Sequence, residues 1–174
     1  MLELRHPAYE TPISYATVDD LFEIFNEELS SLYLLSFLLT ADSDKAEQCL
    51  IAAIGECVEG GGGIFMDWAR PWTRQAVLNH AIEMIMPAPE RANNVLFISV
   101  KQAQMPAEDN PFATILSLDA FERFVFVMSI LEGQSDEQCA MLLRCSPRDV
   151  MMARVLALKR QSPLDAQAGE FFQS

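Results

Sequence analysis

The sequence predicts an all-α protein made of two helical units. Apolar residues recur at three- and four-residue spacing through residues 17–86 and again through 116–162. Most candidate helices open on a Thr, Ser or Asp, the residue types whose side-chain oxygens accept from otherwise unpaired backbone N–H groups. Between the two units, Pro87, Pro89, Pro106 and Pro111 break up residues 87–115, which read as a linker. Residues 1–16 carry Pro7, Pro12 and no helical period and read as an extended arm, and residues 163–174 read as a tail.

Taken in order, Thr17 is the expected cap of a first helix, with Asp19 and Asp20 in its first turn and an apolar stripe of Leu21, Phe22, Phe25 and Leu29. A second helix is expected over Ser30–Thr40. Asp42 or Ser43 caps a third, which turns Ala46, Leu50, Ala53, Ile54 and Cys57 inward and ends at Gly60–Gly63. Pro71 suits the first turn of a fourth, which runs to about Met86. Within the linker, Val95–Val100 is apolar and β-branched, and either a short strand or a buried linker segment fits it.

In the second unit a helix is expected from Ser117 to Leu131, stopped by Gly133. Ser135 caps a short helix to Leu143, Arg144-Cys145-Ser146 makes a tight turn, and Ser146, Pro147 and Asp149 launch a helix to about Arg160. A short helix, a tight turn and a longer helix is helix-turn-helix spacing.

Composition narrows the function. Apolar residues make up 51% of the 174, enough for a core and against wholesale disorder. No apolar run reaches the ~18 residues of a membrane span, and the N-terminus lacks a basic-then-apolar leader pattern. The chain is therefore read as cytoplasmic, with no membrane partner. Cys49, Cys57, Cys139 and Cys145 form no CxxC pair and have only His6 and His80 to join them, so reduced thiols are expected and no metal or cofactor. With two histidines, no nucleophile motif and no phosphate loop, nothing converges on a catalytic group, and an enzyme is not expected. Gly60–Gly63 lacks both a preceding strand and a following Lys-Ser/Thr. The formal charge of −13 requires a local basic patch before any nucleic acid would bind.

The stretch Leu118–Gly133, with Arg123, Val125-Phe126, Leu131 and Glu132-Gly133, resembles the start of the C-terminal domain of bacterial RNA polymerase sigma factors of the extracytoplasmic-function group. That family writes L-P-x-x-x-R-x-V-F-x-L-x-x-L-E-G there. The likeness continues without a gap through Ser135, Ala140, Leu142-Leu143, Cys145-Ser146 and Val150. In the first unit, Tyr33, Phe37, Leu39-Thr40, Asp42, Ala46-Glu47, and then Trp68, Arg74, Leu78 and His80, resemble the family's region 2. The resemblance covers roughly residues 20–86 and 116–160. It implies a region 2-like bundle and a region 4-like helix-turn-helix, a role in transcription initiation, and RNA polymerase core and promoter DNA as partners.

The same resemblance locates positions where this chain departs from the family pattern. The family's clamp-contacting Asp, Gln and Glu fall on Gln48, Ile51 and Ala52, and Ile and Ala cannot make charge-assisted hydrogen bonds. In the promoter-melting helix Arg74 and His80 remain, and Trp68 and Trp72 could stack on bases or, more simply, pack the helix onto the bundle. In the recognition helix the family's Lys and Arg positions hold Met151, Ala153, Leu156 and Leu158. Arg148, Arg154, Lys159 and Arg160 are left to support weak DNA binding. An apolar helix of this kind is usually buried. Met151, Met152, Val155, Leu156 and Leu158 thus point to a protein partner such as an anti-sigma-like protein, to a homodimer seam, or to packing against the first unit. Docking of the two units is expected to cover this helix and Ile51. Two readings follow: a divergent sigma factor with weakened DNA and polymerase binding, or a sigma-like interaction module that does not bind promoters.

Overall fold

A computed structural model describes residues 14–60, 63–89 and 112–161. Every regular element among them is helical, as the spacing predicts: α1 Val18–Thr40, α2 Ser43–Gly60, α3 Met66–Ile85, α4 Ala113–Leu116, α5 Ala120–Phe126 continuing into a π-helical turn Val127–Leu131, α6 Asp136–Leu143 and α7 Pro147–Gln161. The Val95–Val100 segment lies outside the described residues.

The predicted caps form. Thr17 Oγ1 accepts from the Asp20 N–H while the Thr17 N–H donates back to the Asp20 carboxylate at 2.7 Å, a reciprocal capping box. Asp42 accepts from the Lys45 N–H at the start of α2. Ser135 and Gln138 form a second box on α6, and Ser146 and Asp149 cap α7. Arg144 takes the left-handed conformation, φ 52°, that lets the chain reverse between α6 and α7. Replacing Ser135 by Ala leaves the Gln138 N–H without its side-chain acceptor. A loss of about 1 kcal/mol is expected, read as a Tm drop of ~2–4 °C for a chain of this size.

Three boundaries differ from the expectation. The first two helices are one, because no helix breaker stands between Leu29 and Ser30 and the buried stripe runs on through Leu32, Leu35 and Leu39. Helix α3 begins at Met66 rather than Pro71, which sits inside it. The added turn is held from the arm: Ala16 N–H donates to Ile64 C=O at 2.8 Å, Met66 N–H donates to Ser14 C=O at 2.9 Å, and Tyr15 stacks on Phe65 with centroids 5.0 Å apart. Pro71 lies in the second turn, where it removes one ladder bond without ending the helix. Third, Ser117 does not start the long helix. It closes the short α4, at the end of the expected linker, and Asp119 precedes α5. Gly133, φ 67°, stops the π-helical turn as predicted.

Helices α1, α2 and α3 pack on one another, and α5, α6 and α7 form the second group. One cluster of buried side chains runs through both, from Leu32, Leu39, Cys49 and Val77 to Phe124, Met128, Cys139 and Val150. Polar contacts join the groups as well. The Arg123 guanidinium is buried and donates to the backbone carbonyls of Leu39 and Leu118. Burial pulls its pKa down, and the two carbonyls accept two of its five N–H donors.

Candidate functional site

The packing of α7 against α5 and α6 decides which of its residues can reach a partner. Val150, Ala153 and Ala157, spaced at three and four, form the buried face. These small side chains let α7 lie close to α5. The opposite face carries Arg148, Met151, Met152, Val155, Leu156, Leu158 and Lys159, all exposed. Met152 is 52% and Leu156 44% exposed. Of the three expected covers for this helix, packing against the first unit is the one the structure corrects: α7 has a narrow seam of small residues inside and a broad apolar face outside. Ala153 belongs to the seam, so it is no vacant phosphate-contact position. Ile51 is corrected in the same way. It is 61% exposed, on a face of α2 shared with exposed Gln48 and half-buried Ala52, and contact between the two units does not cover it.

Three of the candidate DNA-contacting groups on α3 and α7 are paired with carboxylates, and a fourth, His80, lies close to one. Arg74 donates through Nε and Nη2 to Glu132 at 2.8 and 2.5 Å, and its Nη1 donates to Ser31 Oγ at 2.9 Å. The Glu132 hydrogen bond raises the Arg74 pKa, so the proton is held more firmly. Arg154 makes a two-pronged pair with Asp136 across the helix-turn-helix. Arg160 meets Glu122 at 2.6 Å and Asp119 at 3.3 Å. His80 Nε2 lies 2.8 Å from a Glu56 carboxylate oxygen. Arg148 and Lys159, both exposed, are the two candidate cations of α7 outside these carboxylate pairs.

Such half-exposed pairs contribute little stability, but they matter for recognition. A phosphate approaching Arg154 meets a neutral pair, and one approaching Arg160 meets a cation flanked by two carboxylates; in either case it must displace a carboxylate. None of these partners was legible at helical spacing. Asp136 lies 18 residues before Arg154, and Glu132 lies 58 after Arg74. Only the near balance of acids and bases in the second unit pointed toward them.

The two tryptophans separate. Trp72 is half-buried against the core, as the packing reading expects, whereas Trp68 is 67% exposed beside the Tyr15–Phe65 stack. The neighbouring Arg70 is held by Glu27 and Glu28, so this aromatic surface lacks the cationic companion that single-stranded nucleic acid needs. An open cleft of about 650 Å³ lies between the C-terminal end of α3 and α6, lined by Glu56, His80, Glu83, Met86, Met141 and Arg144. Its charges are of both signs, and no group of metal-ligating side chains gathers among the described residues.

Cys49, Cys57 and Cys139 are buried free thiols. Burial pushes Cys57 up to about 12 and Cys139 to about 11. Native alkylation at pH 8 is therefore expected to be slow at these two sites, with the half-buried Cys145 reacting first and all four reacting quickly after unfolding. Peptide mass mapping of a labelling time course reads the order. No helix among the described residues is long and apolar enough to cross a membrane. Compared with models of known protein families and with curated proteins, the chain matches none.

Proposed function

We propose that this chain is a sigma-factor-like transcription regulator that acts through protein contacts, its promoter reading much weakened. The observation that carries the reading is the outward face of α7. The helix-turn-helix presents this helix to solvent, where a promoter-reading protein presents its recognition helix. Yet the face offers Met151, Met152, Val155 and Leu156 with only Arg148 and Lys159 beside them. Phosphate contacts dominate affinity for DNA, and bidentate Arg and Lys contacts are the commonest means of reading guanine. Apolar side chains supply neither. Protein interfaces favour such a surface, Met above all, because it adapts to different partners. Exposed Gln48 and Ile51 and half-buried Ala52 on α2 likewise lack the carboxylates that would grip the polymerase clamp.

A second reading, a divergent sigma factor that still reads promoters, is favoured by the helix-turn-helix itself and by exposed Arg148 and Lys159. A pull-down with core RNA polymerase, followed by a promoter gel shift, separates the two. The proposal expects no polymerase-dependent promoter shift. Co-elution with polymerase together with a sequence-specific shift would establish the second reading instead.

A further inference from the structure

We propose that two copies of this chain associate head to tail, the outward face of α7 in one copy docking on the outward stripe of α1 in the other. This goes beyond the transcription reading and does not need it, because it stands on the chemistry of the two faces.

Helix α1 exposes Val18, Phe22, Leu29 and Tyr33, which lie within a narrow arc of the helix. At 1.5 Å per residue this stripe is about 22 Å long, and the α7 face from Arg148 to Lys159 is about 16 Å long. The longer α1 stripe can seat the whole α7 face, both are apolar, and their charges are opposite. Helix α1 carries Asp19, Asp20, Glu23, Glu27 and Glu28 and no cation; α7 carries Arg148, Arg154, Lys159 and Arg160 against Asp149. Internal pairs engage Glu27, Glu28, Arg154 and Arg160, and Asp20 belongs to the Thr17 cap. Asp19 and Glu23 then remain beside the α1 stripe, and Arg148 and Lys159 remain on the α7 face.

A two-fold seam of α7 on α7 is the competing arrangement. Run antiparallel, it sets Arg148 against Lys159, and like charges facing each other oppose association. A seam of α1 on α1 repeats the fault with carboxylates. Of these three arrangements, α1 on α7 is the one that satisfies both charge and apolar surface. Both faces are exposed in the same molecule, so the pairing is made between copies. A contact of one helix on one helix falls at the small end of interface sizes, so association is weak and concentration-dependent. Because the two faces differ, the contact is heterologous, and run head to tail without closing into a ring it leaves one of each open at the ends.

Light scattering on the full chain over a concentration series, without polymerase or DNA, tests this. The wild-type mass is expected to rise with concentration beyond two chains. Phe22→Glu, which spoils the α1 stripe, and Leu156→Glu, which spoils the α7 face, each hold the mass at one chain. Mixed together, they form one-to-one pairs that grow no further, because each supplies the face the other lacks. Both positions are exposed, and circular dichroism checks that the helices persist. As a milder pair, Lys159→Glu weakens association and mixing it with Glu23→Lys restores it. A wild-type mass fixed at one chain overturns the proposal. So does a mixture that stays monomeric, or a Phe22→Glu variant that still associates while Leu156→Glu does not.

Discussion

Phe124→Ala is expected to unfold both helical groups together and to lower stability by about 3–5 kcal/mol. Phe124 is fully buried in the cluster that runs from α1, α2 and α3 into α5, α6 and α7. Truncating it removes apolar contacts and leaves a void in a close-packed interior, where relaxation is only partial. Against a typical total of ~5–15 kcal/mol the loss is large. It should appear as a Tm drop on the order of 10 °C, at ~2–4 °C per kcal/mol. Thermal unfolding followed by circular dichroism reads the result, and a single transition is expected because the core is shared. Two transitions, with only one displaced, would mean that α1–α3 hold together without α5–α7. Phe22→Ala, at an exposed position, is the control and should change stability by less than ~0.5 kcal/mol.

The second large effect is a gain. If α7 keeps the placement of a recognition helix and lacks only its cations, then Met151→Lys, Met152→Lys, Val155→Lys and Leu156→Arg together should create a DNA-binding face. All four positions are exposed on the side opposite the Val150–Ala153–Ala157 seam, so the fold should accept them. Four added phosphate contacts steepen the dependence of log affinity on log salt by about 3.6, at ~0.9 per contact. Binding to duplex DNA should then weaken by roughly 150-fold more between 50 and 200 mM salt than it does for the wild type. Fluorescence anisotropy at several salt concentrations measures the slope. Ala153→Arg belongs to a different class: it forces a long cation into the buried seam and should destabilise the helix-turn-helix rather than bind DNA.

The elements of the fold were legible where local chemistry decides them. The caps at Thr17, Ser135 and Ser146 act over three residues, and each formed as its residue types require. Boundaries set by distant contacts were not legible. Helix α3 starts five residues before Pro71 because the arm at Ser14–Ala16 pairs with Ile64–Met66, some fifty residues away. The functional face divided in the same way. Periodicity made clear that Met151, Met152, Val155, Leu156 and Leu158 crowd one helix, and left open whether a partner, a second copy or the first unit covers them. The small residues Val150, Ala153 and Ala157 provide all the burial that α7 needs, which leaves the larger ones outside. The charge balance of the second unit was visible as composition. That it takes the form of particular pairs, Arg154 with Asp136 and Arg160 with Glu122, depends on folded proximity.

The central claim is that the exposed face of α7 is built for protein rather than for phosphate. Titration of the wild-type chain against duplex DNA, repeated from low to moderate salt, tests it most directly. With Arg148 and Lys159 as its cations, the face should give weak binding and a log–log salt slope no steeper than about −1.8. Tight, sequence-selective binding with a slope of six or more contacts, ~−5 or steeper, would contradict the account and identify a DNA-reading helix.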